Sequence, residues 1–563
     1  MNIMEKSKYT VFGIIICLLL SLYSCNEDKG NYEYEELNEV TIEGIEERSK
    51  LPNDPAAYSS NVGEIFTITP ELTFSLMEDE SSYSFQWYVI DDPYDKKRPY
   101  LVSNERNLSL PIEGVIGKPG KYGIIFQVIN KNTGIKYIAE TDIDIQLYNF
   151  TKGYVMLTEK PGNTYDIDMV SLFNNQFTQY NNLLSLTNSE LPIEGNPLGI
   201  VTFNDNNAPS PYETDSRRIK HSVYVLSDER TDRIKPEDFS YLDRYSLSRA
   251  YIGPSHYFPN GVVAEKIVAY TNNRAYMYAN NNWYFYNVSM SLYLFDYPFN
   301  TTKYASATYK AAPYIFMHPS FGAILYDEDK KQFMVQKVSM FINQQDVSEV
   351  LSTQVIVDNP GDIFKFNNID DPDNPIYDLI YMGNRSATTG YAIVKNRETG
   401  KVELLQFTLG MNSVVTKTLR TIFPDAYASV VENAKFFAYH PTTNTPYLYF
   451  ATEDKVYRTL TTSMATSDIT TNDILPLGYK ISEMKYLIFS SSANKRNDIL
   501  GIASYDSSGT VGENGMIKFF DTDSSNGELS TALHPAKETE GVEQINMQWT
   551  GMGKIIGFDY KFQ

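Results

Sequence analysis

Chemistry has few places to reside in this chain. Histidine occurs five times, at His221, His256, His318, His440 and His534, and three of these precede proline. A residue before proline is held extended, so His318, His440 and His534 read as turn features rather than as converging metal ligands. No two histidines share a predicted strand or helix at zinc-ligand spacing, and no metal site is expected. Two loops are rich in oxygen, Asp370-Asp371-Pro372-Asp373-Asn374 and Asp521-Thr522-Asp523-Ser524-Ser525-Asn526-Gly527-Glu528. In the second, glycine stands seventh instead of sixth and the twelfth position is Ala532, against the pattern of a calcium-binding helix–loop–helix. Both loops therefore read as acidic turns, with a structural calcium ion as the weaker alternative. The sequence carries no HExxH, GxSxG, phosphate-binding loop, GxGxxG after a strand, or paired CxxC. Glycoside hydrolysis needs two carboxylates roughly 5–9 Å apart, and among the 70 acidic residues no pair stands out. The expectation is a protein without a catalytic site; a hydrolase using an unmarked carboxylate pair is the rival reading.

Aromatic side chains are the strongest remaining signal. The chain has 44 Tyr, 30 Phe and 3 Trp, or 14% of its residues. The densest stretch is Asn280-Asn281-Asn282-Trp283-Tyr284-Phe285-Tyr286, with Tyr293, Phe295, Tyr297 and Phe299 close behind. Tyr and Trp join a flat apolar face to a polar edge, which suits sugar rings and peptide backbones. Trp283 follows three asparagines and is expected at an exposed turn, so Trp283, Tyr284 and Tyr286 are the candidate ligand-binding residues. The competing reading makes the same residues packing elements between strands. Trp87, inside an alternating strand, and Trp549, near the last strand, read as core.

One residue type at one place implies covalent chemistry. Val11–Leu20 is an apolar run of ten that follows Lys6 and Lys8 and precedes Ser21-Leu22-Tyr23-Ser24-Cys25. Ten residues of helix span about 15 Å, half of the roughly 30 Å hydrocarbon core, so the run reads as a signal segment and not a membrane span. The Leu-x-Ser-Cys ending resembles a bacterial lipobox, which implies cleavage after Ser24, acylation of Cys25 and a lipid anchor. The only other cysteine, Cys17, would leave with residues 1–24, so no internal disulfide is expected. Asn26-Glu27-Asp28-Lys29 after the cysteine resembles the surface-export signals of Bacteroidota lipoproteins, implying an outer-membrane protein that faces outward; a plain solvated tether facing the periplasm is the alternative.

The elements that would position such residues are strands. With 563 residues, 42% hydrophobic and 21% charged, the composition is globular, and 48 basic against 70 acidic residues give a net charge of −22. That acidity argues against nucleic acid as a partner, because phosphate binding needs a basic face. Residues 25–40 read as a tether. Across 41–148 the apolar pattern has period two, as in Ile65–Thr69, Tyr83–Val89 and Ile138–Leu147, with turn residues between, which is the pattern of a β-sandwich. Across 149–563 short apolar strands recur, beginning at Gly153, Ser222, Lys266, Gly322, Leu379, Lys435 and Lys485, each followed by paired strands. A recurrence near 50 residues fits the blades of a β-propeller, about seven of them, with two stacked all-β domains as the alternative. The Ser504-to-Thr510 stretch resembles the Asp-box that stabilises blade turns in sialidases.

Three segments carry a family resemblance: the start Cys25-Asn-Glu-Asp-Lys-Gly-Asn-Tyr-Glu-Tyr34, the strand Phe85-Gln86-Trp87, and Asn433-Ala-Lys-Phe-Phe-Ala-Tyr-His-Pro441. Together they resemble the PKD-like family of Bacteroidota lipoproteins; the Gly-Asp-Gly turn of true PKD repeats is absent. The resemblance implies an all-β chain, an immunoglobulin/PKD-like sandwich followed by a β-propeller, encoded beside a starch-utilisation-type uptake system. The expected role is accessory capture of a glycan or peptide beside a transporter, with an assembly lipoprotein that binds a partner protein as a further alternative.

Overall fold

The computed structural model describes residues 38–561 apart from 52–53, 55, 62–64, 77–78, 92–97, 113–119, 147–149, 151, 174–175, 205–220, 252, 271–273, 288–294, 296, 303–306, 337–350, 489–497 and 535–544. Cys25, the expected signal segment and residues 26–37 of the expected tether lie outside the described residues, while the tether's last residues, 38–40, belong to the folded unit: Asn38 donates to the Tyr83 hydroxyl at 2.9 Å and Val40 opens a strand. The chain divides into two compact units, Met1–Leu147 and Tyr148–Gln563. Strands dominate both, and the longest helix described is Asp425–Glu432. The chain is all-β, with many small sheets.

In the first unit, alternation in sequence becomes alternation in burial. Along Ile65–Ile68 and Leu108–Pro111, every second residue turns inward. These two strands pair, as do Val40–Glu43 and Glu71–Phe74. Both pairs share one core with a five-stranded sheet ordered Tyr58–Asn61, Lys136–Gln146, Gly120–Asn130, Tyr83–Ile90 and Tyr100–Ser103. Trp87 is fully buried there, stacked on Phe126 at 4.3 Å between ring centres, and its indole N–H donates to Glu105 O at 3.0 Å.

The second unit is propeller-like. Seven sheets follow one another in chain order, each antiparallel. The first contains Gly153–Lys160, Thr164–Phe173 and Gln176–Tyr180; the second opens with Pro197–Asn204, the third with Lys266–Tyr270 and the fourth with Phe316–His318. The fifth opens with Tyr377–Asn384, the sixth with Phe436–Tyr439 and the seventh with Tyr479–Tyr486. The last strand, Ile555–Lys561, returns to the first sheet and pairs with Gly153–Lys160. Seven apolar clusters hold the sheets together, one between each successive pair and the last between the seventh sheet and the first. Side-chain alternation makes this possible: Ile267 packs toward the second sheet and Val268 toward the fourth. Where the last strand meets the second sheet the backbones pack closely: a Cβ on Gly557 would lie 3.2 Å from Gly199 Cα, a tight contact that the neighbouring backbone would have to yield to.

The seven strand starts read from sequence fall one in each sheet. They do not fall on equivalent strands. In the fourth sheet the opening strand, Phe316–His318, has three residues, too few to show a period, so the pattern first becomes visible in Gly322–Asp327.

Candidate functional site

The opening strands of the second, third, fifth, sixth and seventh sheets, the Tyr314-Ile315 segment ahead of the fourth and the returning strand Ile555–Lys561 line a cavity of about 410 Å³. That volume falls within the roughly 300–1,000 Å³ typical of small-ligand sites. Four of these six strands carry a bulge at or beside the cavity: the register shifts between Pro197 and Gly199, between Leu379 and Tyr381, between Ile481 and Glu483, and opposite Leu157 and Thr158 in the returning strand. A bulge re-aims the residues that follow it. Tyr381 and Glu483 come immediately after two of them, and both line the cavity.

Cross-strand hydrogen bonds fix the wall. Asn384 accepts from Met317 N at 3.0 Å and donates to Met317 O at 2.7 Å, tying the fifth sheet to the fourth. Tyr391 donates its hydroxyl to Phe437 O at 3.3 Å, tying the fifth to the sixth. Asp559 accepts from Thr202 N and from Tyr560 N, each at 2.8 Å. Tyr381 sits among Tyr314, Phe437 and Tyr391, with ring centres 5.0, 4.9 and 5.6 Å away. Burial raises its phenol pKa; Tyr314 and Glu483 push the same way, and the hydroxyl of Tyr391 opposes. Tyr381 is therefore a protonated donor at neutral pH.

Lys266 is the unusual cation of this cavity. By surface area it is exposed, yet protein surrounds it, because the surface it exposes is cavity wall. This enclosure lowers the pKa of its ammonium, Glu483 works against the shift, and Lys485 adds to it. Its Nζ lies 5.7 Å from the centre of the Tyr314 ring, and that of Lys485 lies 4.8 Å from the centre of Phe558. A third lysine on the wall, Lys435, is ion-paired with Glu453. The described lining includes no Ser, His or Cys, so the nucleophile–base pairs built from those residues are not assembled here. What the wall offers is ammonium and phenol donors, aromatic faces and two carboxylates.

Neither the zinc-type nor the calcium-type candidates converge. Among the described residues no group of three or more His, Cys, Asp or Glu is placed to hold a metal ion. His318 Nδ1 accepts from Ser320 N at 3.0 Å, and His440 Nδ1 pairs with the Thr442 hydroxyl at 3.0 Å. In the second acidic loop Asp523 accepts from Ser525 N at 2.7 Å and from the Ser525 hydroxyl at 2.6 Å, so its carboxylate closes its own turn. Asp506 does the same with Ser508.

The expectation of an exposed Trp283 is corrected. Asn280 and Asn281 both take left-handed backbone, with φ of 52° and 60°, and form a two-residue turn between Arg274–Ala279 and Asn282–Asn287. So tight a turn returns the chain to the sheet at once, and Trp283 lands opposite Tyr278. Trp283 is fully buried between the third and fourth sheets, its indole N–H donating to Ala312 O at 2.8 Å. Tyr284 and Tyr286 are buried between the second and third sheets. None of these three lines the cavity. Lys266, Lys485 and Tyr381 were missed, although a signal was present: three of the seven strand starts open with lysine, at Lys266, Lys435 and Lys485, and all three line the cavity.

Residues 25–197 match the model of the PKD-like family. No curated protein matches the chain. Among solved structures it is similar to a quinonprotein alcohol dehydrogenase-like protein from Bacteroides thetaiotaomicron, at 13% identity over 89% of this chain and 97% of that one, with a TM-score of 0.35. It is also similar to the extracellular domain of a putative one component system from the same organism, at 10% identity over 65% of this chain and 38% of that one (TM-score 0.30). Porphyromonas gingivalis dipeptidyl peptidase 4 matches at 10% identity over 68% of this chain and 53% of that one (TM-score 0.30). No helix among the described residues is long and apolar enough to cross a membrane.

Proposed function

We propose that this protein is a surface lipoprotein of the outer membrane that captures a glycan or peptide fragment and presents it to a neighbouring uptake transporter. In this reading residues 1–24 are removed, Cys25 is acylated, 25–37 form a tether and 38–148 a PKD-like sandwich. Residues 149–563 form a propeller of seven blades, closed by the pairing of Ile555–Lys561 with Gly153–Lys160. The ligand enters the axial cavity instead of resting on the Trp283 stretch. The observation that carries the reading is the cavity itself: strands of six sheets and the Tyr314-Ile315 segment ahead of the fourth converge on binding groups, and no Ser, His or Cys stands among the described lining. Both lining carboxylates, Glu483 and Asp559, accept main-chain N–H groups, which supports a binding role over a catalytic pair.

The test is a binding screen of the full-length chain in detergent against glycan and peptide arrays, with product analysis on every hit. Saturable binding without turnover is the expected result. Released product would favour the hydrolase, and silence on both arrays would favour a protein partner. For the anchor, Cys25→Ala should move the protein from the membrane pellet to the soluble fraction; a variant that stays in the pellet refutes acylation at this residue.

A further inference from the structure

We propose that the cavity is selective for an acidic saccharide, a uronate whose carboxylate meets Lys266 and Lys485 while its ring packs against Tyr314 and Tyr381. This rests on the capture reading above and adds the chemical class of the ligand.

The argument is an asymmetry between cations and anions on one wall. Both lining carboxylates are already engaged. Asp559 accepts from Thr202 N and Tyr560 N, and Glu483 accepts from Met484 N at 2.9 Å. The ammonium groups of Lys266 and Lys485 donate to no acceptor among the described residues, and an aromatic ring lies beside each. Glu483 favours the charged form of Lys266 through space without bonding to it, and Lys485 opposes that form. Elsewhere in the same unit several lysines are matched to carboxylates, Lys395 with Glu432, Lys401 with Asp425, Lys455 with Asp468 and Lys554 with Glu159, and the buried Lys518 and Lys561 bond main-chain carbonyls. In a chain of net charge −22, acids are plentiful, so two unmatched lysines side by side in a cavity mark a place for an anion brought from outside.

The rest of the wall describes the body that bears the anion. Tyr314 and Tyr381 present two rings 5.0 Å apart, tilted by 57°, and Tyr381 keeps its hydroxyl proton. Such a pair offers apolar faces to the C–H side of a sugar ring and a phenol donor to its hydroxyl edge. A cavity of about 410 Å³ admits a short saccharide or the end of a chain, not a folded partner.

The test is titration calorimetry on the full-length chain with short oligomers of galacturonate and glucuronate, each beside its neutral hexose counterpart, which differs only in the carboxylate. Uronates are expected to bind roughly ten- to hundred-fold more tightly than the neutral sugars, the worth of a hydrogen bond to a charged group, and to weaken as salt rises. The preference for the uronate over its neutral counterpart should collapse in Lys266→Met and Lys485→Met, a cooperative melting transition showing that each variant is folded. Equal binding of acid and neutral sugars would overturn the charge assignment and leave capture standing. Binding of peptides with a free C-terminal carboxylate, without binding of uronates, would overturn the saccharide. Binding of neither class would remove both this inference and the capture reading.

Discussion

Two sets of cations in the seven-sheet unit meet opposite fates. Lys417, on the outer strand of the fifth sheet, places its ammonium 2.5 Å from Asp358 and against Asp362, with the Phe364 and Phe366 rings alongside. Arg420 forms two bonds to Glu403, at 2.8 and 2.9 Å. Arg385 donates to His440 O, Gln406 and Thr442 O and lies 4.3 Å over the Tyr439 ring. Lys266 and Lys485, on inner strands, form no hydrogen bond or ion pair among the described residues, although Glu483 acts on Lys266 through space. Lys417, Arg420 and Arg385 are tied into the fold by their bonds. Lys266 and Lys485 are held at the cavity wall by their strands, with an aromatic ring beside each.

The contrast can be broken most forcefully at its aromatic counterpart. Trp283 belongs to the packed interfaces and Tyr381 to the cavity, so truncating the first should damage stability alone. Trp283→Ala removes a fully buried indole and should cost about 3–5 kcal/mol, read as a fall in the urea midpoint, with ligand affinity in the folded fraction unchanged. Loss of affinity at full stability would return Trp283 to the binding surface. Among the cations, Lys417→Met leaves two carboxylates facing each other without a counter-ion and should cost about 3–5 kcal/mol. A loss below about 1 kcal/mol, the level of an exposed pair, would place Lys417 with the idle lysines and end the distinction.

A pH series sharpens the same line. Burial holds His440 at about 4, with nearby Arg385 pulling the same way and Asp498 opposing. Burial also holds His318 at about 4, reinforced by Arg274. Both folded values lie below the ordinary value of about 6.5 for an unfolded histidine. The unfolded chain therefore takes up these protons first, and stability present above pH 6.5 is lost as pH falls toward 4. Each histidine should contribute a slope approaching 1.4 kcal/mol per pH unit within that window, about as much as one bound proton allows. His440→Asn, which keeps an acceptor for Thr442, should remove one histidine's share. An unchanged slope would mean that His440 titrates normally in the folded protein.

Much of the framework was legible in the sequence, and the site was not. Period-two patterns marked the strands of the first unit because one face of each is buried, as Ile65–Ile68 shows. Strand starts marked the seven sheets because the middle of each sheet is apolar on both faces, as in the wholly buried Gly322–Asp327. The cavity escaped for two reasons. Its wall is assembled from strands as far apart as Thr202 and Asp559, which no local window joins. Bulges next to Tyr381 and Glu483 also break the alternation that would have announced an inward residue. Trp283 was misread for the opposite reason: the asparagine turn was visible, but its length of two residues, set by the left-handed Asn280 and Asn281, decided that the next side chain would be core.

The smallest expected effect is the most discriminating. Lys266→Met replaces an enclosed ammonium with an apolar side chain of similar length. No carboxylate loses a hydrogen bond, because none is bonded to it among the described residues; Glu483 loses only a through-space attraction, and the enclosure that depresses the ionisation of Lys266, the larger effect, no longer acts against folding. Removing a charge that burial disfavours is neutral or mildly stabilising. The urea midpoint of Lys266→Met should therefore equal or exceed that of the wild type, where Lys417→Met, the same change of side chain, falls by several kcal/mol. Lys485→Met should behave like Lys266→Met, losing only its contact with the Phe558 ring, about 0.5–1 kcal/mol at most. If Lys266→Met were as damaging as Lys417→Met, its ammonium would have a partner inside the fold, and the pair of lysines offered to a ligand would be reduced to Lys485 alone.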